Sequence, residues 1–147
     1  MPDSTLATSL TMLCTIAAAT AAPTRVYFGT YTGGKDNTSE GIYTSLLDPA
    51  TGALTRPELA AREQRPGFLA LHPNGQSLYA ICVMEGDGPK PIGGVAAYRI
   101  DRASGKLELI NRQPSEGEGP CHVSVDKTGQ CAMVANYGSG GVAALPI

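Results

Sequence analysis

Residues 66–76 read PGFLALHPNGQ, and 54 positions later residues 120–130 read PCHVSVDKTGQ. Each copy consists of a proline, a short alternating strand, a four-residue turn that ends in glycine, and a glutamine. A second strand follows at the same offset in both copies, around Leu78 and Ala132. A period of about 50 residues indicates a repeat architecture, and it organises the rest of the chain.

A second element, a strand followed by a turn, repeats at a spacing of 53 residues. Residues 41–52 and 94–105 both begin with a glycine and a strand and end in Asp-x-x-Ser/Thr-Gly. The aspartate side chain can cap such a turn, and the final glycine tolerates a positive φ. With a last strand over residues 106–111, each period contains about four short strands, as a propeller blade does.

We therefore predict an all-β chain with the architecture of a β-propeller. Outside the N-terminal leader, no window has the apolar spacing of a helix. The chain has 18 glycines and 11 prolines, which is typical of a turn-rich protein. A two-sheet sandwich is the alternative, although it does not predict a strict repeat of turns.

The extent of the repeat predicts an incomplete propeller. Residues 141–147 match residues 94–100 at five of seven positions, so a third blade begins before the chain stops. Residues 25–147 then hold roughly two to two-and-a-half four-stranded blades, whereas about 4 to 8 blades close a propeller. We expect an N-terminal fragment or a truncated product, which alone would expose unpaired strands.

Composition and charge exclude several classes of function. The net charge of −2 and the pI near 5.6 argue against a nucleic-acid-binding surface. No Cys-x-x-Cys pair occurs, which argues against a zinc ribbon or thioredoxin-like chemistry. We expect no metal and no cofactor, and we expect Cys82, Cys121 and Cys131 to be small buried residues in strands.

The N-terminus has the features of a leader. Residues 10–22, LTMLCTIAAATAA, form an apolar run that is too short for a membrane span of about 20 residues. It fits the core of a signal peptide and ends in a small-x-small cleavage pattern, but Asp3 precedes it and no basic residue does. We expect residues 1–22 to be a signal peptide, hence a periplasmic or secreted protein, or a disordered leader of a cytoplasmic one.

Four motifs, in this order and spacing, resemble the seven-bladed β-propeller lactonases. They are VYFGTYT at 26–32, GIY at 41–43, PGFLALHPNG at 66–75 and VANYG at 134–138. The resemblance covers residues 25–147 and is most specific from residue 120 to residue 138. It implies a seven-bladed propeller that hydrolyses a small-molecule lactone, as a 6-phosphogluconolactonase or a related sugar lactonase does.

The resemblance also implies a site in the central channel. In that family a histidine at the start of the innermost strand lines the channel, and His122 matches it. The family's other channel residues, a histidine and a Pro-Arg-His element in later blades, have no counterpart here. We therefore expect a site that is only partly encoded, a fragment that is inactive alone, and the missing blades of the same propeller as its partners.

The chemistry of lactone hydrolysis narrows the candidates. A water must be activated by a base, for which histidine is suited. His122 replaces Phe68 of the preceding repeat, and a hydrogen-bonded structural histidine would explain this polar residue equally well; the family resemblance is what implies that His122 is the candidate catalytic residue. His72 aligns instead with the turn residue Asp126, which predicts a role in the turn.

Two polar residues follow the second strand of the last repeat. Asn136 and Tyr137 are candidate substrate-binding residues, because polar side chains at a strand end can hold a hydroxylated ligand. The alternative for Asn136 is to cap the turn into Gly138. Two other functions also stay open: a non-catalytic propeller that serves as a binding scaffold, and a muconate-lactonising type of isomerase.

Overall fold

The structure, a computed structural model, describes residues 22–86 and 88–147. The predicted leader falls outside the described residues except for Ala22, so its cleavage and the protein's location stay predictions. Within the described part of the chain there is no helix, and hence no helix long and apolar enough to cross a membrane. The expectation of an all-β chain is confirmed.

Ten strands form three antiparallel sheets. The first sheet has the order β1-β2-β3, the second β4-β5-β6-β7 and the third β10-β9-β8. The strands are β1 Thr24–Gly29, β2 Gly41–Leu47, β3 Glu58–Arg62, β4 Leu69–Leu71, β5 Ser77–Met84, β6 Ile92–Ile100, β7 Leu107–Pro114, β8 Pro120–Val125, β9 Cys131–Asn136 and β10 Gly141–Pro146.

The second sheet is the predicted four-stranded blade, in the order in which its strands follow one another along the chain. The first sheet lacks a described counterpart of β4, and the third lacks a described counterpart of β7. Ten strands are thus two and a half blades. The sandwich alternative is wrong, because three sheets stack with a separate core on each side of the second sheet, whereas a sandwich has two sheets around one core.

The buried side chains of β5 alternate between its two faces, which explains why three sheets stack. Leu78, Ala80 and Cys82 point to one side and join the core between the first and second sheets, around Ile42 of β2. Tyr79 and Ile81 point to the other side and join the core between the second and third sheets. Both faces of β5 are therefore buried, and each fully buried aliphatic side chain contributes about 1.5–3 kcal/mol.

The repeated turns form as predicted. In the first, Asp48 Oδ1 accepts the backbone N–H of Ala50 at 2.9 Å, and Asp48 Oδ2 accepts the Thr51 hydroxyl at 2.8 Å. In the second, Asp101 holds Ala103 and Ser104 in the same way, at 2.9 and 2.6 Å. These hydrogen bonds lower the pKa of both carboxyl groups.

The prediction that all three cysteines are buried is wrong for Cys121. Cys82 is buried and Cys131 is half-buried, but Cys121 is exposed. Pro120 pairs with Asn136 and His122 pairs with Ala135, so Cys121 is the extra residue of a β-bulge. A bulged residue on an edge strand lies outside the regular alternation of the ladder, which leaves this thiol at the surface.

Candidate functional site

The candidate residues lie at one end of the sheets, where β4 and β8 begin and β5 and β9 end. We call it the upper end. The innermost strands of the second and third sheets, β4 and β8, pack against each other there. His122 is the third residue of β8, directly after the bulge, and its side chain is exposed.

The imidazole of His122 lies against an aromatic ring. The ring of Phe68, the last residue before β4, has its centroid 4.2 Å from that of His122, with 47° between the planes. The two side chains occupy equivalent positions of consecutive repeats, and the packing of β4 on β8 brings them together. Within the described residues the His122 ring makes no hydrogen bond, so its nitrogens are accessible to water.

Asn136 is buried at the end of β9, with 2% of its surface exposed. Its amide Nδ2 donates to the backbone carbonyl of Ser115, just after β7, at 2.7 Å. Its Oδ1 has no hydrogen-bond partner among the described residues. The alternative that Asn136 caps the turn into Gly138 is wrong, because the side chain reaches across to the loop after β7 instead.

Tyr137 is 86% exposed, in the turn that follows β9. Its backbone N–H donates to the Gly119 carbonyl at 2.9 Å, and the Gly138 N–H donates to the Glu118 carbonyl at 2.9 Å. Backbone hydrogen bonds therefore connect the β9–β10 turn to the loop that precedes His122. The structure thus brings His122, Asn136 and Tyr137 to the same end of one sheet, with different exposures.

His72 lies at the opposite end and takes part in the turn, as predicted. Its Nδ1 accepts the backbone N–H of Asn74 at 3.1 Å. A ring nitrogen that accepts leaves the proton on the other, so Nε2 donates to the Gly129 carbonyl, 3.0 Å away. This bond joins the equivalent turns of the second and third sheets.

A buried polar cluster near the upper end was not predicted from the sequence. The Glu63 side chain is 2% exposed; its Oε2 accepts a hydrogen bond from Arg112 Nε at 3.0 Å and forms an ion pair with Arg112 Nη2 at 2.9 Å. The hydroxyl of Tyr98 donates to the same oxygen. Burial raises the pKa of Tyr98, and it raises that of the nearby Cys82 thiol to about 12.

This cluster joins the first sheet to the second, and Glu63 is 35 residues from Tyr98 and 49 residues from Arg112 in the chain. No local motif signals such a contact. An open cleft of about 450 Å³ lies beside it, lined by Thr32, Glu40, Arg62, Gln64 and Met84 among others. In the described part of the chain, no three His, Cys, Asp or Glu side chains form a group that could hold a metal ion.

Comparison with known proteins gives a consistent result. Residues 25–147 match the family described as lactonase, 7-bladed beta-propeller. A 6-phosphogluconolactonase of Bacillus subtilis is 46% identical over 121 residues, which are 82% of this chain and 32% of that protein. A 6-phosphogluconolactonase of Formosa agariphila is 31% identical over 112 residues, 76% of this chain and 30% of that protein.

Solved structures show the same architecture. The periplasmic gluconolactonase of Pseudomonas aeruginosa superposes with a TM-score of 0.70 at 30% identity, over 85% of this chain and 34% of that one. The chain thus spans about a third of the length of the relatives that it matches.

Proposed function

The chain belongs to the seven-bladed β-propeller lactonases, and from that premise we propose that the protein hydrolyses a sugar lactone, with His122 as the base. The observation that carries the proposal is the exposed His122 imidazole, which rests on Phe68 at the start of an innermost strand. A base at the start of an innermost strand lies where the family resemblance implies the central channel, in which the lactone would bind. Relatives named 6-phosphogluconolactonase or gluconolactonase support the same reaction class.

The proposed step is the addition of water to the lactone carbonyl. A nitrogen of His122 takes a proton from the water as its oxygen bonds to the carbonyl carbon. The tetrahedral intermediate then expels the ring oxygen, which takes the proton from the protonated His122, so that the base is restored and the product is an open-chain hydroxy acid. The carbonyl oxygen needs hydrogen-bond donors while it carries charge. We propose that residues beyond these blades provide them, so that residues 25–147 alone are inactive.

We propose that both Tyr137 and Asn136 contact the substrate, and the two residues differ in how accessible their side chains are. The Tyr137 side chain is exposed at the upper end, where its hydroxyl is available to a sugar hydroxyl group. Asn136 is buried and bonded to Ser115, so it can reach a ligand only through its unpartnered Oδ1 and after a shift of that loop. In its present position it holds the loop that precedes His122.

In this proposal the substrate depends on the compartment in which the protein works. A phosphorylated lactone such as 6-phosphogluconolactone fits a cytoplasmic enzyme of the pentose phosphate pathway. An unphosphorylated sugar lactone fits an exported enzyme, if residues 1–22 are a cleaved signal peptide. The relatives include both a 6-phosphogluconolactonase and a periplasmic gluconolactonase, so family membership supports either version.

The test is hydrolysis of glucono-1,5-lactone and of its 6-phosphate by the protein from its source, followed as acid release at constant pH. We expect a rate well above the spontaneous rate in buffer for at least one lactone. A rate equal to the buffer rate for both would favour the non-catalytic scaffold. Conversion of a muconate to its lactone, without hydrolysis of either sugar lactone, would favour the isomerase.

A further inference from the structure

Arg65, in the loop between β3 and β4, differs from most arginines of the described chain in having no acceptor for its side chain. Five arginines donate side-chain hydrogen bonds to the protein: Arg25, Arg62, Arg99, Arg102 and Arg112. Within the described residues Arg65 has neither such a bond nor a carboxylate within 4 Å. Arg56, at the opposite end of the sheets, is the other described arginine without an acceptor.

The backbone of Arg65 adopts a conformation that is uncommon for a side-chain-bearing residue, with φ of 52°. Its N–H donates to the hydroxyl of the buried Thr32 at 2.9 Å, and its carbonyl accepts the N–H of Gly67 at 2.7 Å. Pro66, the next residue, is fully buried. Such conformations persist where the surroundings enforce them, and they concentrate at ligand-binding sites.

The guanidinium group of Arg65 lies over the ring of Tyr31, with Cζ 5.4 Å from the ring centroid. Both side chains are exposed. A cation–π contact does not require the N–H groups to donate a hydrogen bond, so N–H edges of the guanidinium group stay available to an acceptor. Those edges match the paired oxygens of a carboxylate or a phosphate, so the pair presents an oriented cation without a protein anion.

The position of Arg65 relates this cation to the proposed base. Phe68, whose ring packs on His122, is three residues further along the chain. Three residues span at most about 11 Å. The backbone of Arg65 therefore lies within about 11 Å of that of Phe68, at the same end of the sheets as the His122 imidazole.

We propose that Arg65, supported by Tyr31, binds the acidic substituent of the lactone, a phosphate or a carboxylate. This inference rests on the proposed function and makes it specific, because it assigns the protein to anionic rather than neutral lactones. Arg65 acts on substrate selection and orientation and takes no part in proton transfer.

The test compares Arg65→Gln with Arg56→Gln in the whole protein. Three substrates separate the sources of the anion: glucono-1,5-lactone is neutral, its 6-phosphate carries a phosphate, and a glucarolactone carries a carboxylate. We expect Arg65→Gln to lower kcat/KM about ten- to hundredfold for the preferred anionic lactone, the loss of a charge-assisted hydrogen bond. We expect no change beyond about twofold for the neutral lactone or for Arg56→Gln on any substrate.

Arg65→Gly serves as the second variant, because glycine adopts a positive φ without strain and the fold is then kept without the cation. It should lose the same activity and melt no lower than the unaltered protein. If both variants hydrolyse every lactone like the unaltered protein, the assignment of Arg65 is overturned and the proposed function stands. If the unaltered protein hydrolyses none of the three lactones, the proposed function itself fails, and the role of Arg65 fails with it.

Discussion

At the scale of single residues, Glu63 is the most consequential side chain that the described chain buries. Its carboxylate is almost fully enclosed and is satisfied by Arg112, Tyr98 and the backbone of Gln64. A buried charge is tolerated only while its partners remain, since removing one leaves an uncompensated ion in a poorly polarisable environment. The contact between the first two sheets therefore depends on Arg112 as well as on apolar packing.

We predict that Arg112→Met lowers the free energy of unfolding by about 3–5 kcal/mol, because it leaves the buried Glu63 carboxylate without its positively charged partner. The matched control is Arg99→Met, which breaks the exposed pair of Arg99 with Glu108 and should cost about 0–1 kcal/mol. Urea unfolding of both variants, made in the whole protein, measures the difference between their free energies of unfolding. Equal losses in the two variants would contradict the role given to the buried pair.

Single residues also show where sequence-based prediction reaches its limit. The role of His72 could be predicted, because the residue aligns with Asp126 and accepts an N–H two residues ahead, as Asp126 does. The Glu63–Arg112 pair could not, because 49 residues separate its members and no repeat places them together. The exposure of Cys121 could not be predicted either, since it depends on a bulge in the pairing of β8 with β9.

At the scale of elements, the turns are the best-determined parts of the fold. In each turn an aspartate or histidine side chain accepts hydrogen bonds from backbone N–H groups a few residues further along the chain. Because these contacts are local, the sequence pattern alone predicts the turn. Asp126 is the strongest case. Its hydrogen bond from the Thr128 hydroxyl, followed by one from the Cys131 backbone, lowers its pKa to about 2.

This shift has a consequence for stability in acid. A carboxyl group whose pKa falls from about 3.9 in the unfolded chain to about 2 in the folded one stabilises the fold above pH 4. That contribution is lost as the pH falls from about 4 to about 2. We predict that Asp126→Asn, which keeps a turn-forming side chain without the charge, flattens the dependence of melting temperature on pH in this window.

The comparison for that variant is Asp36→Asn, in the exposed loop between β1 and β2. The Asp36 side chain accepts no hydrogen bond among the described residues, so its loss of charge should leave the pH profile as it is. Parallel profiles for Asp126→Asn and the unaltered protein between pH 2 and pH 4 would show that the Asp126 turn does not contribute to acid sensitivity.

At the scale of the whole molecule, the repeat predicted the blade and the number of strands, because four strands between recurring turns leave little freedom. The arrangement of the upper end was predicted less well. The structure brings His122, Asn136 and Tyr137 to that end, but the burial of Asn136 depends on how the loop after β7 folds over the end of β9. The role proposed for Arg65 could not be predicted from the sequence, because it depends on a backbone conformation and on the position of Tyr31.

The sheets of the described chain retain exposed apolar side chains and strand edges. Val142 on β10 is 84% exposed and Ile110 on β7 is 51% exposed, and both β7 and β10 lie at the edge of their sheets. We predict that residues 25–147, produced alone, associate or fail to fold cooperatively. Size-exclusion chromatography with urea unfolding tests this, and a monomer with one sharp transition would contradict it.

We propose that His122 activates water for lactone hydrolysis, and the decisive measurement is the activity of His122→Ala in the whole protein. We predict a loss in kcat of at least about a hundredfold, the contribution of a general base, with an unchanged melting temperature because the side chain is exposed. His72→Ala should do the reverse: it should lower the melting temperature and keep the activity of the folded molecules. Hydrolysis by His122→Ala at close to the unaltered rate would show that His122 is not the base.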